Sequence, residues 1–242
     1  MEKDFHPLIE IEQNRRILAR HIGVDALGCF IVAYLGIKNG YICKAFYETA
    51  LQGKNSLPAA AFDQRMFTYH PAAQQIALVF TMYQVKNTYD TIVFNDGPEF
   101  IFHHCLALVA SWAGMYPGVG HEYVIFFFGM SEISTAILCL LANFDDEHGV
   151  VGLGDAFPVT KVAVGAVFVV FFILCRVIMW PYFSYHFVRD SMNAIQSKTK
   201  MSEERKVWLR ILMTALSGLS VLQVLWLGQI FIIGKEEISK IL

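Results

Sequence analysis

Two histidines, His103 and His104, stand side by side in the apolar run FIFHHCLALVA. Imidazole titrates near neutral pH, so it suits proton transfer, and it also serves as a nucleophile. Asp96 and Glu99 precede His103 by seven and four residues, the spacing that puts three side chains on one helical face. His104 is turned about 100° from His103, so both face one cavity only from its corner. Further along, Glu132 and Thr135 are three residues apart and share a face, with Ser131 and Ser134 beside them. Arg176 has apolar neighbours on both sides, and Asn87 and Asp90 interrupt an earlier apolar stretch together with Lys86. Asp25 lies near the start of the first apolar block, close to His21. Imidazoles, a carboxylate, hydroxyls and a guanidinium together suit acid–base or nucleophilic chemistry, or grip of a polar ligand head. The same residue types also tie transmembrane helices together, at about 0.6–2 kcal/mol per hydrogen bond. Both readings stand on the sequence.

Other chemistries fail on spacing. There are eight histidines, and apart from the pair they are scattered, so the HxxxH and HxxHH clusters of a di-iron centre are missing. His70, His121 and His186 sit near the ends of apolar blocks, which is unsuited to a haem between matched helices. Five cysteines contain no CxxC pair and fall mostly inside apolar blocks, where they read as small core residues. No metal and no resident cofactor is expected.

These side chains need helices in lipid to hold them. Of 242 residues, 55% are hydrophobic and only 17% charged, against about 25% charged in soluble domains. The apolar blocks are long enough to cross a bilayer, which takes roughly 20 helical residues. The expected fold is all-α, a polytopic transmembrane bundle of about six spans arranged as an open barrel around a polar chamber. The spans are placed at residues 17–37, 71–94, 99–116, 122–143, 160–183 and 207–234, with Pro181 interrupting the fifth near its end. A polar segment, 1–16, precedes this domain of 17–234, and a charged tail, 235–242, follows it. The opening MEKDFHPLIEIEQNRR lacks the apolar core of a signal peptide, so insertion is expected to rest on the spans themselves. Between the first two spans, YICKAFYETALQG is too short and polar to cross and is expected at the membrane interface. Arg189, Lys198, Lys200, Arg205 and Lys206 are expected in a loop before the last span. Lysine and arginine divide almost evenly between the two sides, so orientation does not follow. A net charge of −2 speaks against nucleic acid as a partner.

Four stretches in order resemble one family. DGPEFIFHHCLALVA is similar to the signature of the TLC-domain proteins, the group of TRAM, the Lag-type ceramide synthases and the CLN lipid proteins. In it an acid and a second polar position precede a histidine pair, here Asp96, Glu99, His103 and His104. RMFTYHPAAQQIALVFTMYQ, FGMSEISTAILCL and FFILCRVIMWPY resemble the segments that follow and precede it, so that the likeness is strongest over 65–185. Ceramide synthases carry two aspartates on the next span, where this chain has Glu132, Ser134 and Thr135, which resembles the non-synthase branch.

The resemblance implies a membrane protein that binds or senses lipids and influences lipid composition. The lining it implies is His103, His104, Glu132, Ser134, Thr135, Arg176, Asn87 and Asp90. An alternative is an acyltransferase with acyl-CoA as co-substrate, in which His103 or His104 reacts and Asp96 or Glu99 orients it. A third reading is an accessory subunit of a larger membrane complex, since polar tails are usually disordered unless a partner holds them. The endoplasmic reticulum is the family's usual membrane, with the mitochondrial inner membrane as the alternative.

Overall fold

A computed structural model describes residues 6–53, 57–58, 61–116, 118–145, 147–197 and 201–241, with side chains to Lys235. The fold is all-α, 87% helix, and no strand occurs among the described residues. Eight helices carry the structure: α1 (Glu12–Lys38), α2 (Lys44–Leu51), α3 (Phe62–Phe67), α4 (Pro71–Phe94), α5 (Pro98–Met115), α6 (His121–Phe144), α7 (Pro158–Gln196) and α8 (Glu203–Ile241). Proline opens α4, α5 and α7, where its missing amide would have had no partner in any case. Between α4 and α5, Asn95 takes the left-handed conformation (φ 56°) and Gly97 a φ of 122°, which turns the chain back within three residues.

Four helices, α1, α6, α7 and α8, are long and apolar enough to cross a membrane. The other two expected spans, α4 and α5, are helices over nearly the expected residues but fall short of that apolarity. Gln74, Gln75, Gln84, Lys86 and Asp90 dilute the first, and the histidine pair dilutes the second. Successive neighbours around the bundle are α1, α4, α5, α8, α7, α6 and again α1, and α4 also touches α6. The most enclosed is α6, 61% buried over its most apolar window, against 22% for α7 and α8. Its Phe126, Phe127 and Phe128 form the core with Trp180, Phe183 and Phe187 of α7, and Phe126 stacks on Phe183 at 4.0 Å. The outer faces of α7 and α8 expose Val162, Val170, Phe231 and Ile232. Exposed apolar side chains on long helices suit lipid as the solvent.

Several boundaries differ from expectation. α1 starts inside the polar N-terminal segment, because Asn14 is buried and its side chain bonds both the carbonyl and the amide of Val151. α7 does not end near Pro181 but continues to Gln196, which places Arg189 on a helix instead of in a loop. A proline deprives one carbonyl of its amide. Here the preceding Ile173–Met179 is π-helical, and the wider turn absorbs the mismatch. α8 begins before the expected span and runs as backbone helix into the charged tail, whose side chains beyond Lys235 lie outside the described residues, as do Lys198 and Lys200. The segment expected at the interface is tied to the core: Cys43 and Phe46 are wholly buried, and Phe46 stacks on Phe183 at 4.7 Å.

α1 and α6 meet at a pair of glycines. A Cβ on Gly36 would lie 2.4 Å from the Met130 amide nitrogen, and one on Gly129 would lie 2.8 Å from Gly36 Cα. Only glycine permits backbones this close, the device by which helices associate in membranes without a hydrophobic drive.

Candidate functional site

Three of the long helices contain a π-helical stretch: His21–Ala26 in α1, Ile125–Met130 in α6 and Ile173–Met179 in α7. Such bulges recur at functional sites because they redirect side chains out of the regular helical register. Asp25 and Arg176 lie within two of them, and Glu132 follows the third by two residues.

Arg176 gathers one group of the expected residues. Its Nη2 donates to Glu132 Oε1 and to Thr135 Oγ1, each at 2.8 Å, and its Nε donates to Ser134 Oγ at 3.1 Å. The guanidinium lies 4.9 Å over the Trp180 ring. Arg176 and Glu132 are only 7% and 5% exposed, so the ion pair is a buried one. The second Glu132 oxygen faces Cys29 Sγ at 3.8 Å, and that thiol donates to Tyr83 Oη at 3.0 Å.

The histidines form a second group. His104 Nδ1 lies 2.9 Å from Gln84 Oε1. The two imidazoles meet edge to face with centroids 5.0 Å apart, and His103 packs 4.9 Å from Trp226 of α8. His103 Nδ1 is buried and has no hydrogen-bond partner among the described residues. Asn87 is buried too, with its Oδ1 in the same condition.

The expected alliance of Asp96 and Glu99 with His103 does not form. α5 begins at Pro98, so Asp96 lies in the turn before the helix and pairs with Arg20 of α1 through both carboxylate oxygens. Glu99 is exposed. Asp90 is likewise engaged elsewhere: Lys86, one turn before it, pairs with both Asp90 and Asp25. Arg20 completes this ionic network, 3.8 Å from Asp25 and 4.4 Å over the Phe94 ring. Among the expected residues, therefore, Glu132, Ser134, Thr135 and Arg176 come together, His103 and His104 form a neighbouring group, and Asp96 and Asp90 belong to the ionic network.

Sequence reasoning missed Gln84 as the partner of His104, Trp226 against His103, and the Cys29–Tyr83 contact. It also missed a buried pair near the start of α4. Arg65 donates from Nε to Asp190 Oδ2 at 2.7 Å, from Nη2 to Oδ1 at 3.2 Å and from Nη1 to the Pro58 carbonyl at 2.9 Å. Tyr123 Oη donates to the same carboxylate at 2.7 Å. Burial alone would lower the Arg65 pKa, but the hydrogen bond and charge of Asp190 raise it above the ordinary value. The only sequence signal for the pair was Arg65 itself, a charge just before a span. Next to α4, the His70 amide donates to His121 Nδ1 at 2.9 Å, and burial lowers the His70 pKa. Among the described residues no three His, Cys, Asp or Glu side chains converge as a metal site requires.

The model of one protein family, the TLC domain, matches residues 23–232. The chain belongs to the TLC-domain family. The match reaches well beyond the stretch that carried the resemblance and takes in most of α1 and α8, including Asp25 and Trp226. With its apolar helices, this TLC-domain protein is an integral membrane protein. No curated protein and no solved structure matches it.

Proposed function

We propose that this TLC-domain protein binds a lipid by its polar head at His103, His104 and the Arg176 group, and so senses or adjusts membrane lipid composition, as in the non-synthase branch of the family. One observation carries the reading. His103 Nδ1, beside Trp226, is a buried polar atom without a hydrogen-bond partner among the described residues, and Asn87 Oδ1 is another. An unpaired buried polar atom costs about 1–3 kcal/mol, which a lipid hydroxyl or amide would offset. The acids that would activate an imidazole are held by cations, Asp96 by Arg20 and Glu132 by Arg176. That favours binding over acyl transfer. Six spans, with α4 and α5 crossing as well, are part of this reading, as is residence in the endoplasmic reticulum.

The test is lipid analysis of protein purified in mild detergent. Wild type is expected to carry one lipid class at near-stoichiometric yield, and His103→Ala to retain it about tenfold less, the worth of one strong hydrogen bond. Absence of any retained lipid would overturn the proposal. An acylated histidine after incubation with acyl-CoA would replace it by the acyltransferase reading.

A further inference from the structure

A second candidate site lies at the other end of α4 from the histidines. There a cavity of about 290 Å³ opens between α2, α3 and the first turn of α6. Its charged lining is Lys44, Glu48, Arg65 and Glu122, and Gln64 and Ala45 also line it. On the rim, Lys44 pairs with Glu48 at 3.3 Å. Arg65 is committed to Asp190 in the wall. Glu122 is left over. It is 2% exposed and lines the cavity, and among the described residues its carboxylate makes no hydrogen bond or ion pair, the Arg65 charge acting on it only from a distance. A buried carboxylate without a partner is a strongly unfavourable arrangement in an apolar surrounding. Ionised, Glu122 would leave Arg65, Asp190 and Glu122 one positive charge short, a deficit that the Arg65 charge shared between the two carboxyls only partly offsets, at the wall of a cavity with room for a ligand.

We infer that this cavity binds a small organic cation, a primary or methylated ammonium, with its charge against Glu122. Its volume lies at the lower limit for small-molecule sites, which suits a head group or a free amine rather than an entire lipid. The site is separate from the histidine pair and does not depend on the function proposed for it.

The experiment measures the thermal unfolding midpoint of the full chain in detergent. Ethanolamine hydrochloride is titrated against sodium chloride at equal ionic strength, and short-chain phosphatidylethanolamine against phosphatidylglycerol. A ligand that binds only the folded state raises the midpoint with concentration and saturates. A saturating rise with ethanolamine, with phosphatidylethanolamine or with both is expected, and which of them acts identifies a free amine or a lipid head group as the source. Glu122→Gln keeps the shape and removes the charge, so the apparent affinity should fall about tenfold or more. Ala45→Trp, which fills the cavity and leaves the charge, should abolish the response. His103→Ala should leave the ethanolamine response intact. The inference is overturned if neither amine raises the midpoint of the wild type. It is equally overturned if Glu122→Gln or Ala45→Trp responds like wild type.

Discussion

Two buried arginine–carboxylate pairs hold this molecule, and they are built differently. Arg65 meets Asp190 through two parallel hydrogen bonds, while the Pro58 carbonyl and the Tyr123 hydroxyl close the remaining sides. Arg176 meets Glu132 through one nitrogen only, and the other contacts of its guanidinium are hydroxyls and an aromatic face. The first pair has its geometry fixed by a fork on a carboxylate and joins α3 to α7. The second leaves Glu132 Oε2 facing, among the described residues, only a thiol at 3.8 Å, and can exchange a hydroxyl for a ligand without baring its charge. The first is a structural clasp, and the second has the adaptability of a binding site.

Breaking the clasp should have the largest effect. Asp190→Ala leaves Arg65 charged and buried, a loss of about 3–5 kcal/mol, measurable as a collapse of the unfolding midpoint or of folded yield in detergent. Replacing both partners, Arg65→Met with Asp190→Leu, should restore most of it. Glu132→Gln should cost less, about 1–3 kcal/mol, because Arg176 keeps its hydroxyl contacts and the Trp180 face. Equal losses for Asp190→Ala and Glu132→Gln would erase the distinction between clasp and site. The smallest effects belong to Ser134→Ala and Thr135→Val, each about 0.6 kcal/mol by comparison with interhelical hydrogen bonds in membranes. Their readout is retained lipid as well as stability, and a change in neither would remove the hydroxyls from the site.

The helices were legible because a bilayer leaves the backbone little choice: apolar length plus a proline or glycine at each end located α4, α5 and α6 closely. The Glu132–Arg176 group was legible for a related reason, since a charge in mid-span must find a partner and few were on offer. What failed was anything set by a long-range choice between equivalent partners. Asp96 had His103 seven residues away and Arg20 seventy-six away, and helical spacing argued for the nearer. The full-charge partner prevailed, because the ion pair forms in the turn before the helix has begun. Arg65 and Asp190, 125 residues apart, offered no pattern to read. Pro181 misled for another reason: the π-helical turn that rescues it leaves no mark in hydrophobic periodicity.

The glycine contact between α1 and α6 has a consequence for how the chain is made. Gly36 leaves the ribosome 93 residues before Gly129. At about 5–20 residues per second, α1 waits roughly 5–20 seconds for the helix it was shaped to fit. Throughout that interval its glycine face is open to lipid. Until Lys86 is made, its Asp25 has only Arg20, 3.8 Å away in the finished fold, to soften its charge. Biosynthesis therefore exposes a half-assembled polar helix to the membrane before any of the later contacts exist.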